Sequence, residues 1–193
     1  MSTREMLEML VDEQLIAAIN LSLILVVTLC AVTDIAENRI PNIVLFPALL
    51  LAFVCNSMLA GIAGFVECLL GLVLGMSMLF PFYFTGGTSA GDVKLLGVVG
   101  ALLGAQGVFI AGAATLVFGG ALGILFITWR VIKPKLLLYT TQLIRFGEST
   151  GPTLLVTATA DVNRKTYFPY APAIALGTYY SLWDLGYFSR LAL

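Results

Sequence analysis

Long apolar runs are the feature of this sequence that most restricts its fold. A helix that crosses the hydrocarbon core of a bilayer needs about 20 consecutive apolar residues. Runs that meet or approach this length occupy residues 14–33, 41–60, 62–84, 107–129 and 168–188, and a shorter run occupies 93–105. With the shorter run included, the pattern predicts an all-α membrane protein. We expect a single domain over residues 1–193 with about six transmembrane helices.

The composition of the chain favours the same class. Hydrophobic residues make up 60% of the chain and charged residues 11%, whereas about 25% of the residues in a soluble domain are charged. The formal net charge of −1 leaves no basic excess for binding nucleic acid. We therefore expect membrane lipid around the chain and no nucleic-acid partner.

Residue types that are rare or missing exclude several kinds of catalytic centre. The sequence has no His and only three Cys, so it cannot form a Ser-His-Asp or Cys-His centre or the usual zinc ligand sets. Cys30, Cys55 and Cys68 lie within apolar runs and lack C-x-x-C spacing, which favours buried, unreactive thiols. We expect neither a metal nor a cofactor.

The positions of Lys and Arg predict how the chain is oriented in the membrane. With six spans, only Arg4 and Arg190 fall on one side, and the other Lys and Arg residues fall on the opposite, predicted cytoplasmic side. Both termini are then outside. Residues 1–13 are expected to form an amphipathic segment at the outer interface. Residues 130–167 are expected to form a cytoplasmic loop, with 134–147 as a helix on the membrane surface.

Acidic residues at membrane depth are costly and therefore mark candidate functional sites. Asp34 closes the first predicted span and Asp92 opens the short fourth one, so both are expected at the cytoplasmic ends of their helices. Two carboxylates held at the same depth can share a proton. The ionised group can then activate water while its protonated partner polarises a carbonyl group. Glu67 is expected to hydrogen-bond within the bundle or to lie near the interface, and Asp184 to face water.

Three motifs, in this order along the chain, resemble those of the prepilin peptidase family. They read D-x5-I-P-N at 34–42, G-G-x3-G-D-V-K-L-L at 86–96 and P-Y-A-P-A-I-A-L-G at 169–177. The resemblance implies a membrane aspartic protease of the GxGD type with Asp34 and Asp92 as its catalytic pair. It also implies that the segment from Pro169 to Gly177 packs against the site.

The same resemblance implies a substrate class, which the residues alone do not supply. It implies cleavage of the leader peptide of type IV prepilin or pseudopilin substrates at the cytoplasmic face of a prokaryotic inner membrane. The pilus assembly machinery is a further expected partner. The chain lacks the C-x-x-C motifs of long-form members. It therefore resembles the short form, including the peptidases of Flp-type tight-adherence pili, and no methyltransferase activity is expected. The pilin and the oligomeric state stay open.

The loop before Asp92 is the predicted substrate-binding element, because glycine lets a backbone bend sharply and approach an extended peptide closely. The residues assigned to this loop or to substrate binding are Gly86, Gly87, Ser89, Ala90, Gly91, Lys94 and Asn42. Ser89 stands where the family motif has Gly, and its hydroxyl is expected to hydrogen-bond locally and to preserve the turn. For Lys94, two roles stay open, namely anchoring to lipid headgroups and stabilising charge near the aspartate pair.

Two functions of other classes are compatible with the same residues. A small proton-coupled carrier also uses carboxylates within the membrane, although here both aspartates are predicted at one face, and the two halves of the chain show no evident repeat. A catalytically impaired subunit of a pilus assembly machine would bind prepilin without cutting it.

Overall fold

The computed structural model describes residues 3–37, 39–144 and 169–186, and these parts of the chain are helical with short connections. Helix α1 spans Thr3–Glu37, α2 spans Asn42–Phe84, α3 spans Ala90–Ile144 and α4 spans Ala171–Asp184. The prediction of an all-α protein is therefore confirmed.

Three helical stretches are long and apolar enough to cross a membrane, namely Leu10–Glu37, Asn42–Phe84 and Ala90–Trp129. Many of their large apolar side chains are exposed, as illustrated by Ile43 at 86% and Ile62 at 85%. A surface of this kind is stable against lipid and unfavourable against water. The prediction of a membrane protein is confirmed.

Helix α2 reverses its direction at Gly61. This residue has φ 61° and ψ −135°, a conformation that interrupts the helix and that is essentially confined to glycine. The rings of Phe53 and Phe65 lie 5.1 Å apart between centroids, whereas residues twelve positions apart in a straight helix are separated by about 18 Å. A Cβ atom at Gly64 would collide with the carbonyl oxygen of Asn56. Helix α2 is therefore two segments folded back on each other.

Helix α3 reverses in the same way at Gly104, which has φ 75° and ψ −179°. A Cβ atom at Gly100 would lie 3.1 Å from Val108 Cγ2, although eight residues of straight helix span about 12 Å. At the start of the segment that follows, the backbone N–H of Ala105 donates to Glu67 Oε1 over 3.0 Å. The prediction that Glu67 hydrogen-bonds within the bundle is confirmed.

Glycines bring the second segment of α2 and the first segment of α3 into backbone contact. A Cβ atom at Gly71 would collide with the carbonyl oxygen of Gly100, and one at Gly100 would collide with that of Gly71. A Cβ atom at Gly75 would collide with the carbonyl oxygen of Leu96. Small residues are what allow two helices to approach so closely. The G-x-x-x-G spacing at 71–75 thus serves packing within this chain.

Helix α4 is held between α1 and the second segment of α3. The Ser181 hydroxyl donates to the carbonyl oxygen of Gly107 over 2.9 Å, and the hydroxyls of Thr28 and Tyr179 are 2.6 Å apart. Gly177 packs so closely on α3 that a Cβ atom there would lie 2.5 Å from the carbonyl oxygen of Ala111. These contacts fix the position of the N-terminus of α4, which contributes to the candidate site.

The structure differs in detail from the expectations for residues 1–13 and for residues 130–167. Helix α1 is continuous from Thr3, so the described part of 1–13 belongs to the same helix as the first apolar run. Helix α3 continues beyond residue 130 to Ile144 without a further break, so the chain does not enter a loop at residue 130 as expected. The helical character expected from residue 134 is present as far as Ile144, and residues 145–167 lie outside the described residues.

The contacts divide the chain into two compact units. One unit comprises Met1–Gly120 with Pro169–Leu193, and the other comprises Ala121–Phe168. Both aspartates of interest, the loop before Asp92 and helix α4 belong to the first unit. The expectation of a single domain stays a prediction.

Candidate active site

Asp34 lies in the last turn of α1 and is bound to the beginning of α4. Its side chain is buried, with 6% of the residue exposed, and Oδ2 accepts a hydrogen bond of 3.1 Å from the N–H of Ala171. Tyr170 is the N-cap of α4, and Pro172 follows in the first turn. The first amides of a helix have no partner within it, and the helix dipole favours a negative charge at that end. Asp34 thus takes the place of a capping side chain for α4.

Asp92 lies in the first turn of α3 and forms a capping box with Ser89. The N–H of Ser89 donates to Asp92 Oδ2 over 2.8 Å, and the N–H of Asp92 donates to the Ser89 hydroxyl oxygen over 3.2 Å. This reciprocal pair of bonds satisfies two amides at a helix start. Only 2% of Asp92 is exposed, and Oδ1 is buried without a hydrogen-bond partner among the described residues. One carboxylate oxygen is therefore held and the other is left available.

The structure brings Asp34 and Asp92 together, although they are on different helices. Asp34 is near enough to Asp92 for their charges to interact, and Asp92 is near enough to interact with Tyr170 at the N-cap of α4. Both carboxyl groups are largely buried. Charge–charge interactions are stronger in the protein interior than in water. Two acidic groups in such a site can carry one shared proton. The arrangement can activate a water molecule and protonate or polarise a carbonyl oxygen.

The beginning of the loop between α2 and α3 forms the C-terminal cap of α2. Gly86 has φ 75°; its N–H donates to Tyr83 O over 3.0 Å, and that of Gly87 donates to Phe82 O over 2.9 Å. This is a Schellman motif, in which glycine adopts the left-handed conformation and ends the helix. The pair Gly86–Gly87 therefore terminates α2. Their predicted contact with substrate stays a prediction.

Gly91, in the second sequence motif, packs against Ile40 in the first. A Cβ atom at this position would lie 3.1 Å from Ile40 Cβ and 3.3 Å from the Ser89 hydroxyl oxygen. Ile40 belongs to the segment that follows Asp34, and Gly91 immediately precedes Asp92. The absence of a side chain at Gly91 thus lets the connection after α1 pack against the start of α3. This close packing is one reason why both aspartates are at the same end of the bundle.

A family model described as the type IV leader peptidase family matches residues 21–124. The chain belongs to this family. The matched region contains Asp34, Asp92 and the Ile40-Pro41-Asn42 segment, and it ends before α4. No curated protein and no solved structure shows significant similarity to the chain. The resemblance inferred from the three motifs is confirmed at the level of the family, and the chain is a membrane protein of the prepilin leader peptidase type.

Three further residues that were predicted to bind substrate in this leader peptidase are exposed. Lys94 is exposed on α3, and it is two residues beyond the buried Asp92, which places the two side chains about 200° apart around the helix. Asn42 is exposed as the first residue of α2, and Ala90 is exposed as the first residue of α3. Their binding of substrate stays a prediction.

Sequence reasoning did not single out Tyr170 and Ala171 as partners of the aspartates. The Ala171 amide contacts Asp34 directly, and the Tyr170 side chain is buried, with a hydroxyl group against Gly119. The available signal was the P-Y-A-P sequence, because proline is favoured in the first turn of a helix and marks a helix start. This signal locates the helix start but does not identify its partner. The family resemblance implied that the segment from Pro169 to Gly177 packs against the site, and the bond from Ala171 to Asp34 agrees with this expectation.

The cysteines and other acidic groups take no part in this site. Cys30, Cys55 and Cys68 are buried free thiols, as their apolar surroundings predicted. Asp184 is exposed at the end of α4, and its predicted contact with water stays a prediction. Among the described residues, no group of three or more metal-ligating side chains comes together.

Proposed function

We propose that this protein is an aspartic endopeptidase that removes the leader peptide of type IV prepilin-like substrates. Asp34 and Asp92 are its catalytic pair. The observation that carries the proposal is a pair of buried carboxyl groups on separate helices that are near enough for their charges to interact. One of them has a buried oxygen without a hydrogen-bond partner among the described residues. Membership of the leader peptidase family supplies the substrate class.

The proposed reaction needs one ionised and one protonated carboxyl group. The ionised carboxylate removes a proton from water, and the resulting hydroxide attacks the carbonyl carbon of the scissile peptide bond. The protonated carboxyl group donates to the carbonyl oxygen and stabilises the tetrahedral intermediate. Proton transfer to the departing nitrogen then releases the leader. The pair titrates as a unit, so the two roles are assigned to the pair and not to individual residues.

The contacts of each aspartate support this mechanism because a backbone amide fixes one oxygen of each carboxyl group. The Ala171 amide holds Asp34 Oδ2, and the Ser89 amide holds Asp92 Oδ2. Asp92 Oδ1 has no partner among the described residues, which leaves an acceptor for a water molecule. Carboxylates that are fixed before substrate arrives lose little freedom during the reaction.

For the membrane topology, we propose six spans with both termini outside and the aspartate pair at the cytoplasmic face of a prokaryotic inner membrane. Straight, the 43 residues of α2 would extend about 65 Å, twice the thickness of a hydrocarbon core of about 30 Å. The reversals at Gly61 and Gly104 support two spans in each of α2 and α3. The Lys and Arg residues support the orientation.

We assign the chain to the short form of the family, which cleaves without methylating. Long-form members carry paired C-x-x-C motifs, whereas the three cysteines of this chain have no such spacing and are buried free thiols on α1 and the two segments of α2. The proposed partners are a prepilin or pseudopilin, membrane lipid and the pilus assembly machinery. The proposed activity requires no cofactor.

The experiment that tests the proposal is cleavage of a prepilin by the purified protein in detergent or lipid. Wild type, Asp34→Asn and Asp92→Asn are compared by the mass of the new N-terminus. Asp184→Asn is the matched control, because Asp184 is an exposed acid in the same unit. We expect one cut before the apolar segment of the substrate with wild type and the control, and none with the two other variants.

Each alternative gives a different result in the same assay. If Asp34→Asn or Asp92→Asn cuts at the wild-type rate, the proposed mechanism is wrong. A carrier would leave prepilin intact and would show proton-coupled flux in vesicles that these variants lose. An assembly subunit would bind prepilin and leave it uncut in every variant.

A further inference from the structure

Ser89 is the residue at which this chain departs from the G-x-G-D motif, and its side chain has a defined contact. The hydroxyl oxygen accepts from the N–H of Asp92 over 3.2 Å, while the Ser89 N–H donates to Asp92 Oδ2 over 2.8 Å. The two bonds close a ring that fixes the Asp92 backbone and its carboxylate together. A glycine at position 89 would keep the backbone N–H and lose the hydroxyl, so it could form only one of the two bonds.

The ring also determines which oxygen of Asp92 is available. Oδ2 is held by the Ser89 amide, and Oδ1 is buried without a partner among the described residues. A buried carboxylate oxygen that lacks a hydrogen bond is costly, and such a cost is expected where a ligand completes the site. Because only 2% of Asp92 is exposed, the carboxylate cannot turn outward to satisfy this oxygen in bulk water.

We propose that Ser89 is a positioning residue that orients the Asp92 carboxylate, with Oδ1 presented to the water and the scissile carbonyl group. The proposal rests on the proposed function of Asp92 as a member of the catalytic pair. It replaces the expectation that Ser89 contacts substrate, because the hydroxyl is already engaged by the Asp92 amide. In this chain, the Ser89 side chain restrains the Asp92 amide and so adds to the restraint that the Ser89 backbone N–H places on the carboxylate.

If Ser89 positions Asp92, its substitution should change kcat and leave KM nearly unchanged. Loss of the hydroxyl loosens the helix start without removing a substrate contact, so the turnover rate falls while substrate binding is retained. A displacement of a catalytic group by about 1 Å can lower a rate by about a hundredfold. We expect a decrease in kcat of about tenfold for Ser89→Ala and Ser89→Gly, with KM within about twofold of wild type. Ser89→Thr retains a hydroxyl suited to the N-cap position and should keep kcat within about threefold.

The experiment measures kcat and KM for prepilin cleavage with wild type and the three Ser89 variants. Ser77→Ala is the matched control, because Ser77 also makes a side-chain bond to the backbone, to Leu74 O over 2.8 Å, on an exposed part of α2. Each preparation is checked for thermal unfolding, so that rates refer to folded protein. We expect the control to equal wild type.

Three results would overturn the proposal. Wild-type kcat for a folded Ser89→Gly protein would mean that the hydroxyl does not position Asp92. A rise in KM with kcat retained would assign Ser89 to substrate contact. A Ser89→Thr protein as slow as Ser89→Ala would leave no role for the hydroxyl group.

Hydrogen exchange gives a second measurement that does not depend on cleavage. The Asp92 amide should exchange faster in Ser89→Ala than in wild type, while amides near Leu74 should be unchanged. If wild type cuts no prepilin, the proposed function fails, and this measurement still decides whether the hydroxyl holds Asp92. Equal exchange of the Asp92 amide in both proteins would refute the restraint itself.

Discussion

The N–H of Ala171 donates a hydrogen bond to Asp34 Oδ2 across 137 residues of sequence. Through this bond, a carboxylate in the last turn of α1 provides the acceptor for the first amide of α4. The same group is a proposed catalytic acid or base. Stability and catalysis are therefore coupled at Asp34, and substitutions there can separate the two.

Asp34→Ala should reduce stability more than Asp34→Asn, although both should abolish cleavage. Alanine leaves the Ala171 amide buried without an acceptor, and a buried unpaired amide costs about 1–3 kcal/mol. Asparagine keeps a side-chain oxygen in the same place. Thermal or denaturant unfolding in detergent measures the difference. Equal stability of the two variants would mean that the bond to Ala171 does not support α4.

Thr88→Val should stabilise the protein or leave its stability unchanged. The Thr88 hydroxyl oxygen is buried without a hydrogen-bond partner among the described residues. Valine has nearly the same shape and removes this unsatisfied group, which costs about 1–3 kcal/mol when it is left buried. The free energy of unfolding is the quantity to measure. A clear decrease would show that the hydroxyl has a partner, such as an ordered water.

Gly71→Ala should lower the free energy of unfolding by about 1–3 kcal/mol because its Cβ atom would meet the backbone of Gly100. The neighbour is a carbonyl group, so two helices must move apart to make room. Gly120→Ala is the control, because a Cβ atom there has no heavy atom within 4 Å. Alanine in a helix is favoured over glycine by about 0.5–1 kcal/mol, so the control should be neutral or slightly stabilising.

Glu67→Gln should leave cleavage close to the wild-type rate. Glutamine keeps an acceptor for the Ala105 amide, which is the bond that Glu67 makes in the structure. Glu67→Ala removes the acceptor and should cost about 1 kcal/mol, as does the loss of a helix cap. Cleavage assays and unfolding curves for both variants provide the measurement. Loss of cleavage in a stable Glu67→Gln protein would place a third carboxylate in the mechanism.

Local patterns predicted the helices and the breaks between them. The boundary expected between the apolar runs 41–60 and 62–84 falls at Gly61, where α2 reverses. The break expected near residue 105 falls at Gly104. The positions of Asp34 and Asp92 at helix ends also followed from the apolar pattern, because a charged group is expelled from the centre of a span.

Local sequence patterns did not identify individual contacts between distant segments, although the family resemblance implied that residues 169–177 pack against the site. The bond from Ala171 to Asp34 depends on the packing of α4 between two other helices, which no local pattern specifies. The G-x-x-x-G spacing at 71–75 indicated close packing without identifying Gly100 as its partner. The Gly86–Gly87 pair was interpreted as a flexible binding element because glycine permits several backbone conformations. Its use as a helix terminus became evident only from the hydrogen bonds.

The reversals at Gly61 and Gly104 have a consequence for how the protein is made. Each brings together residues that are close in sequence, so each helical hairpin can form as soon as its second segment leaves the ribosome. The contact between Asp34 and Ala171 joins residues 137 positions apart, so it has to wait until α4 has been synthesised. A nascent chain that ends before α4 therefore contains both aspartates without the restraint on Asp34. The restraint on Asp34 is therefore completed only after α4 has been synthesised and has packed against α1.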